Sequence, residues 1–160
     1  MDSNIDRFDD IRPINDDEVN SVIKELLADP GFKHAMNYIA SGMSWEEFSA
    51  IISRFTTKYE FQSGIIAPLV SSLANKTSNG FMATGWDNYD ASTPYTFISN
   101  HRDIILDAGL LNIMRNQRGQ ETTEIAIGDN LFVFPWIEKL VRLNKSFVVH
   151  RGVSIRQMLE

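Results

Sequence analysis

Three short runs of β-branched and aromatic residues, separated by helix-length amphipathic runs, constrain the fold of this chain more than any other feature. Residues 95–99, 122–127 and 146–149 have the composition of strands. Between them, 104–114 repeats apolar residues at helical spacing and stops at Arg118-Gly119, and 134–143 does the same with Pro135 at its start. Strand, helix, strand, helix, strand predicts an α/β fold with parallel pairing, because each helix carries the chain back to the edge from which the previous strand left.

Upstream the pattern is helical. Asp16, Asp17 and Glu18 load carboxylates onto the first turn of a helix through Val22, Ile23, Leu26 and Leu27, which Pro30-Gly31 interrupts. A second helix is predicted over 32–39. Ser44-Trp45-Glu46-Glu47 is a capping box opening a third, whose Phe48, Ile51, Ile52 and Phe55 form an amphipathic stripe. A fourth spans 65–73 with Pro68 near its start, followed by a polar turn at 75–79 and a short strand and turn at 81–87. The expected organisation is a helical region over 1–90 and an α/β region over 91–160. Ser154 caps a last helix that the chain end cuts short, so 91–160 reads as the N-terminal part of a truncated domain.

Composition narrows the function. With 160 residues, 43% of them hydrophobic, the chain can bury one core. A net charge of -6 argues against general nucleic-acid binding. The absence of cysteine excludes disulfides, zinc–thiolate sites and thiol nucleophiles, and no histidine spacing suits a metal. The N-terminus has neither the basic nor the apolar region of a signal peptide, and no run is long and apolar enough for a spanning helix. The expectation is a cytoplasmic protein, soluble or peripheral on the inner face of the membrane.

In open α/β sheets, ligands bind beyond the carboxyl ends of the strands. Those ends here carry Asn100-His101-Arg102-Asp103, then Gly128-Asp129-Asn130, then His150-Arg151-Gly152. In a parallel sheet all three fall on one edge, which makes that edge the predicted site.

Residues 97–158 resemble the glycerolipid acyltransferase superfamily, especially its bacterial glycerol-3-phosphate and 1-acylglycerol-3-phosphate branches. The resemblance rests on Asn100-His101-Arg102-Asp103, on Ile127-Gly128-Asp129-Asn130-Leu131, and on Phe147-Val148-Val149-His150-Arg151 approached through Arg142-Leu143-Asn144-Lys145-Ser146. The family motif is a histidine, four residues and an aspartate. Here the fifth residue after His101 is Leu106, and Asp107 stands one further on. The family's later Glu-Gly-Thr-Arg block has no counterpart after Arg151.

The resemblance implies an acyl transfer from acyl-coenzyme A or acyl carrier protein to glycerol 3-phosphate or a lysophospholipid, with no further cofactor. His101 would be the general base, since histidine titrates near neutrality. Asp103 or Asp107 would orient the imidazole, with Asp103 favoured; as plain helix-start residues both would instead serve the helix dipole. Arg151, with Lys145 and His150, would hold an anionic head group. Gly128 and Asn130 would line the site, and Asn100 and Arg102 would contact substrate; alone, Gly-Asp-Asn is a tight turn.

Phe132, Phe134 and Trp136 cluster beside that turn as candidates for membrane contact. Trp45, Phe48, Phe55 and Met43, at helical spacing, suit a core. The competing reading is a non-catalytic scaffold or regulatory fragment, which the spacing at Leu106 favours. A third is an amino-acid-lipid O-acyltransferase. The isolated chain is expected to be inactive.

Overall fold

The computed structural model describes residues 8–39, 42–90, 92–100 and 102–152. In chain order the helices and strands are α1 (Val19–Ala28), α2 (Pro30–Ile39), α3 (Trp45–Ile52), α4 (Lys58–Phe61), α5 (Ala67–Thr77), α6 (Leu106–Asn116), β1 (Ile125–Gly128), α7 (Pro135–Leu143) and β2 (Ser146–Val149). A π-helical turn, Gln62–Ile66, separates α4 from α5. The fold is mixed helical with a small parallel sheet, in keeping with a broad α/β class. The chain divides into two compact units, 1–62 with 124–160, and 63–123. Residue 90 falls inside the second. Among the described residues no helix is long and apolar enough to cross a membrane.

In the first unit β1 and β2 pair in parallel, with Ile125 opposite Ser146 and Gly128 opposite Val149. A parallel pair needs a crossover, and α7 supplies it. α1 turns Val19, Ile23 and Leu26 inward and packs on α2 and α7. Asp29 caps α2 through Oδ1, which accepts from the Gly31 amide at 2.8 Å and the Phe32 amide at 3.1 Å. Pro30-Gly31 is therefore the first turn of α2, where proline loses no helical hydrogen bond. A Cβ on Gly31 would lie 2.8 Å from Trp136 Nε1, so glycine permits the close approach of α2 to α7.

The predicted capping box is present: Ser44 Oγ accepts from the Glu47 amide, and Glu47 Oε2 accepts from the Ser44 amide. Thr57 and Glu60 repeat it at α4. The core of this unit is aromatic. Phe32 is fully buried, with ring centroids of Trp136, Phe48 and Trp45 at 5.9, 6.1 and 6.2 Å. Trp45 and Phe48 thus belong to the core; Met43 and Phe55 are not among its buried side chains.

In the second unit α5 packs on α6, with Val70, Ala74 and Ile113 buried. α5 extends to Thr77, three residues into the predicted turn, and Ser78 Oγ donates to the Ala74 carbonyl at its end. Two strand expectations fail here. Residues 81–87 form no strand, and only a 3₁₀ turn, Trp86–Asn88, follows. Residues 95–99 form none either. A strand needs a partner ladder, and among the described residues this unit contains no strand; the aromatic side chains of 95–99 pack on Tyr89 instead. The strand expected over 122–127 begins only at Ile125, because the Thr123 amide and hydroxyl both donate to Asn112 Oδ1 (2.7 and 3.0 Å). The expected three-strand repeat is therefore a two-strand sheet.

Phe32→Ala is expected to destabilise the chain by about 3–5 kcal/mol, the usual result of emptying a buried aromatic site. Tyr38→Ala, on the same helix but with Tyr38 86% exposed, should stay within about 0.5 kcal/mol. Urea unfolding followed by tryptophan fluorescence separates the two.

Candidate functional site

The predicted site divides between the two units. Its first cluster, Asn100 to Asp103, follows no strand and lies in the second unit; Gly128-Asp129-Asn130 and His150-Arg151 share the carboxyl edge of the β1–β2 sheet in the first. The expected convergence of three clusters on one sheet edge thus reduces to two. His101 lies outside the described residues. Asn100 and Arg102 are exposed.

Both candidate partners of His101 hold backbone at the start of α6. Asp103 Oδ1 accepts from the Ile105 and Leu106 amides at 2.8 and 2.7 Å. This is the N-terminal capping that a short carboxylate performs best. Asp107, inside the first turn, reaches back: its Oδ2 accepts from the Arg102 amide at 2.8 Å and the Asp103 amide at 3.1 Å. A carboxylate therefore reaches the peptide immediately after His101 in sequence.

At the sheet edge, the register that sets Gly128 opposite Val149 brings the turn after β1 beside the residues after β2. Asp129 Oδ1 accepts from the Arg151 amide at 3.0 Å, and its Oδ2 lies 3.1 Å from His150 Nδ1. The other ring nitrogen of His150, Nε2, lies 3.6 Å from Asp10 Oδ2. A Cβ on Gly128 would sit 2.5 Å from Asn130 Oδ1 and 2.8 Å from Arg151 Nε. Glycine is what lets both side chains close over the strand end.

The Arg151 amide first, and His150 second, hold the Asp129 carboxyl below its ordinary range. Asp129, and Asp10 less strongly, push the His150 imidazole up. Chemically, this edge offers an imidazole oriented by a carboxylate and an arginine beside it.

Lys145 does not join this group. It precedes β2 whereas His150 and Arg151 follow it, and the strand between is roughly 13 Å long. Lys145 adopts φ 58, and its carbonyl accepts from the Ile125 amide at 3.0 Å, so it forms the turn that launches β2. Asp129 and Asp10 complete the edge although the sequence reading gave neither a role. Asp129 could have been found from its place directly after a strand; Asp10, 140 residues before His150, carries no local signal. Among the described residues no group of three His, Asp or Glu side chains is placed to hold a metal ion. No family model, curated protein or solved structure matches this chain.

The titration of His150 follows from the geometry. Its folded value lies above the ordinary 6.5, so its contacts add stability that is fully present below about pH 6.5. That stability is lost as pH rises through the folded value. An NMR titration of the His150 ring should give a midpoint above 6.5 that falls towards 6.5 in Asp129→Asn.

Proposed function

We propose that this chain belongs to an acyltransferase of lipid biosynthesis, which moves a fatty acyl group from acyl-coenzyme A or acyl carrier protein to the hydroxyl of glycerol 3-phosphate or a lysophospholipid. The observation that carries the reading is the hydrogen bond from the Arg102 amide to Asp107 Oδ2 at 2.8 Å. It answers the main departure from the family motif, the sixth-position aspartate, by a route that returns that carboxylate to the neighbour of His101.

In this reading His101 takes the proton of the acceptor hydroxyl as its oxygen attacks the thioester carbonyl. The thiolate leaves and receives that proton. Each candidate carboxylate has one oxygen on two backbone amides; we take Asp107 as the partner of His101 because it reaches back to the Arg102 amide, whereas Asp103 turns forward into α6. An anionic head group suits Arg151, whose fork can grip phosphate oxygens in pairs. Peripheral contact with the inner face of a membrane suits Val133 and Phe134, both exposed immediately before α7. The alternative, a non-catalytic scaffold or regulatory fragment, draws on the division of the three clusters between two units.

The test is acyl transfer by the full-length gene product, with labelled acyl donor offered to glycerol 3-phosphate and to lysophosphatidate. His101→Ala should lower turnover by about 10²–10⁴-fold, the usual contribution of a general base. Asparagine caps a helix about as well as aspartate but carries no charge. Asp103→Asn should therefore stay near wild type while Asp107→Asn loses at least about tenfold. Wild-type turnover in His101→Ala would move the base elsewhere, and no product with either acceptor would favour the scaffold reading. Arg151→Gln should raise the KM for the anionic acceptor by about tenfold with kcat little changed, as expected for a lost charge-assisted contact.

A further inference from the structure

Just beyond the end of α5 the chain carries a chemically labile pair. Asn79-Gly80 is the one place in the sequence where glycine follows asparagine. Both residues are exposed and follow Ser78, the C-cap of α5. Gly80 adopts φ 113, a conformation that L side chains rarely take, so the turn itself requires glycine there. Among the described residues no atom lies within 4 Å of where a Cβ on Gly80 would stand. The Gly80 amide donates to Ser78 Oγ at 3.2 Å, a long contact with a hydroxyl.

These features meet the demands of one intramolecular reaction. The peptide nitrogen of Gly80, after giving its proton to hydroxide, attacks Cγ of the Asn79 side chain and closes a succinimide ring. The bond from Cγ to Nδ2 breaks, and ammonia leaves with a proton from water, which regenerates hydroxide. Water then opens the ring. Opening at Cγ leaves an aspartate; opening at the backbone carbonyl leaves an isoaspartate, whose main chain runs through the former side chain. The net change is one water consumed and one ammonia released, with no oxidant or reductant. A side chain on the following residue would crowd the attacking nitrogen, and a helix or strand ladder would hold it away from Cγ. Glycine in an exposed turn does neither.

We infer that Asn79-Gly80 is a self-modifying site, at which the chain converts without an enzyme to an aspartate or isoaspartate form with one further negative charge at the C-terminal end of α5. The place of that charge gives it an effect. α5 packs on α6, and near its end the Leu73 and Ala74 carbonyls accept from Thr77 Oγ1 at 2.8 Å and Ser78 Oγ at 2.7 Å. A helix C-terminus already bears partial negative charge, so a carboxylate beside it is repelled. It also offers the two hydroxyls a competing acceptor. The modified form therefore has a looser last turn of α5, whatever reaction the chain takes part in.

The test incubates the folded full-length protein at body temperature and mildly alkaline pH, beside Asn79→Gln. Tryptic peptides are followed by mass spectrometry, and isoaspartate by enzymatic methylation. The peptide from Thr77 to Arg102 also carries Asn88, exposed and followed by Tyr89, so two asparagines are compared in one molecule. Asn79 is expected to gain one dalton at least about tenfold faster than Asn88, because only its attacking nitrogen is unhindered. Isoaspartate should appear with it, and the rate should rise with pH. In Asn79→Gln, whose ring closure is slower, the fast gain should vanish. Conversion of Asn79 no faster than that of Asn88, or a fast gain that persists in Asn79→Gln, overturns the inference. Asn79→Asp then stands in for the aspartate form. Amide hydrogen exchange at Thr77 and Ser78 should quicken several-fold in it while Ile113 in α6 keeps its rate. Unchanged exchange at Thr77 and Ser78 overturns the loosening of α5, and so does a change shared equally by Ile113, which marks a general loosening of the unit.

Discussion

Parallel pairing of β1 with β2 is the constraint from which the sheet-edge site follows. Two parallel strands cannot be joined by a tight turn, so the chain must travel back along their length before it pairs again. α7 makes that journey in nine residues, Pro135–Leu143. Lys145, in the left-handed region, then turns the chain into β2. The register that results puts both strand ends on one edge, and with them Asp129, His150 and Arg151. A pairing slip of one residue would turn the β2 side chains to the opposite face and dissolve the group.

A second framework of charges holds the N-terminal segment to this unit. Arg12 Nη1 and Nη2 donate to the two carboxylate oxygens of Glu18 at 2.6 and 2.9 Å, and Nε meets Asp9 at 2.5 Å. Arg12 first, and the Asn15 amide second, hold the Glu18 carboxyl down to about 2. Arg142 on α7 donates to the Arg12 and Asp9 carbonyls, and the Val148 amide donates to the Ile11 carbonyl at 2.8 Å. Residues 9–12 are therefore tied to both α7 and β2, which is why Asp10 arrives beside His150. These bridges are partly exposed and individually modest. Their effect lies in geometry: backbone carbonyls and carboxylates are met by the same two guanidinium groups.

Many carboxylates in this chain serve backbone amides before they serve anything else. Asp29, Glu47, Glu60 and Asp103 accept from amides at helix starts, and Asp107 accepts from amides just upstream of its helix. A helix start leaves its first amides without partners and carries partial positive charge, so acidic side chains collect there. An acidic cluster read from sequence consequently has two meanings, and only the direction of the carboxylate separates them. Asp103 turns into α6 and Asp107 turns back towards Arg102; adjacency in sequence had favoured Asp103 as the partner of His101.

Local signals determined much of the secondary structure. Helical periodicity and caps marked α1, α3, α6 and α7, the β-branched run marked β2, and the capping box at Ser44 and Glu47 was legible residue by residue. These features depend on neighbours within about four positions, where spacing alone decides who can meet. The sequence also marked the turn after β1 and the basic end of β2 as belonging to one sheet edge, provided the pairing was parallel. The tertiary structure decided what depends on distant partners. The 95–99 run has strand composition but no ladder, and its aromatic rings pack around Tyr89 and Arg115. Thr122 and Thr123 read as strand until Asn112 claims the Thr123 amide. Asp10 meets His150 only because Arg142 and β2 hold the N-terminal segment in place. Composition states what a segment could pair with; whether a partner stands within hydrogen-bond reach is set by the packing of the whole unit.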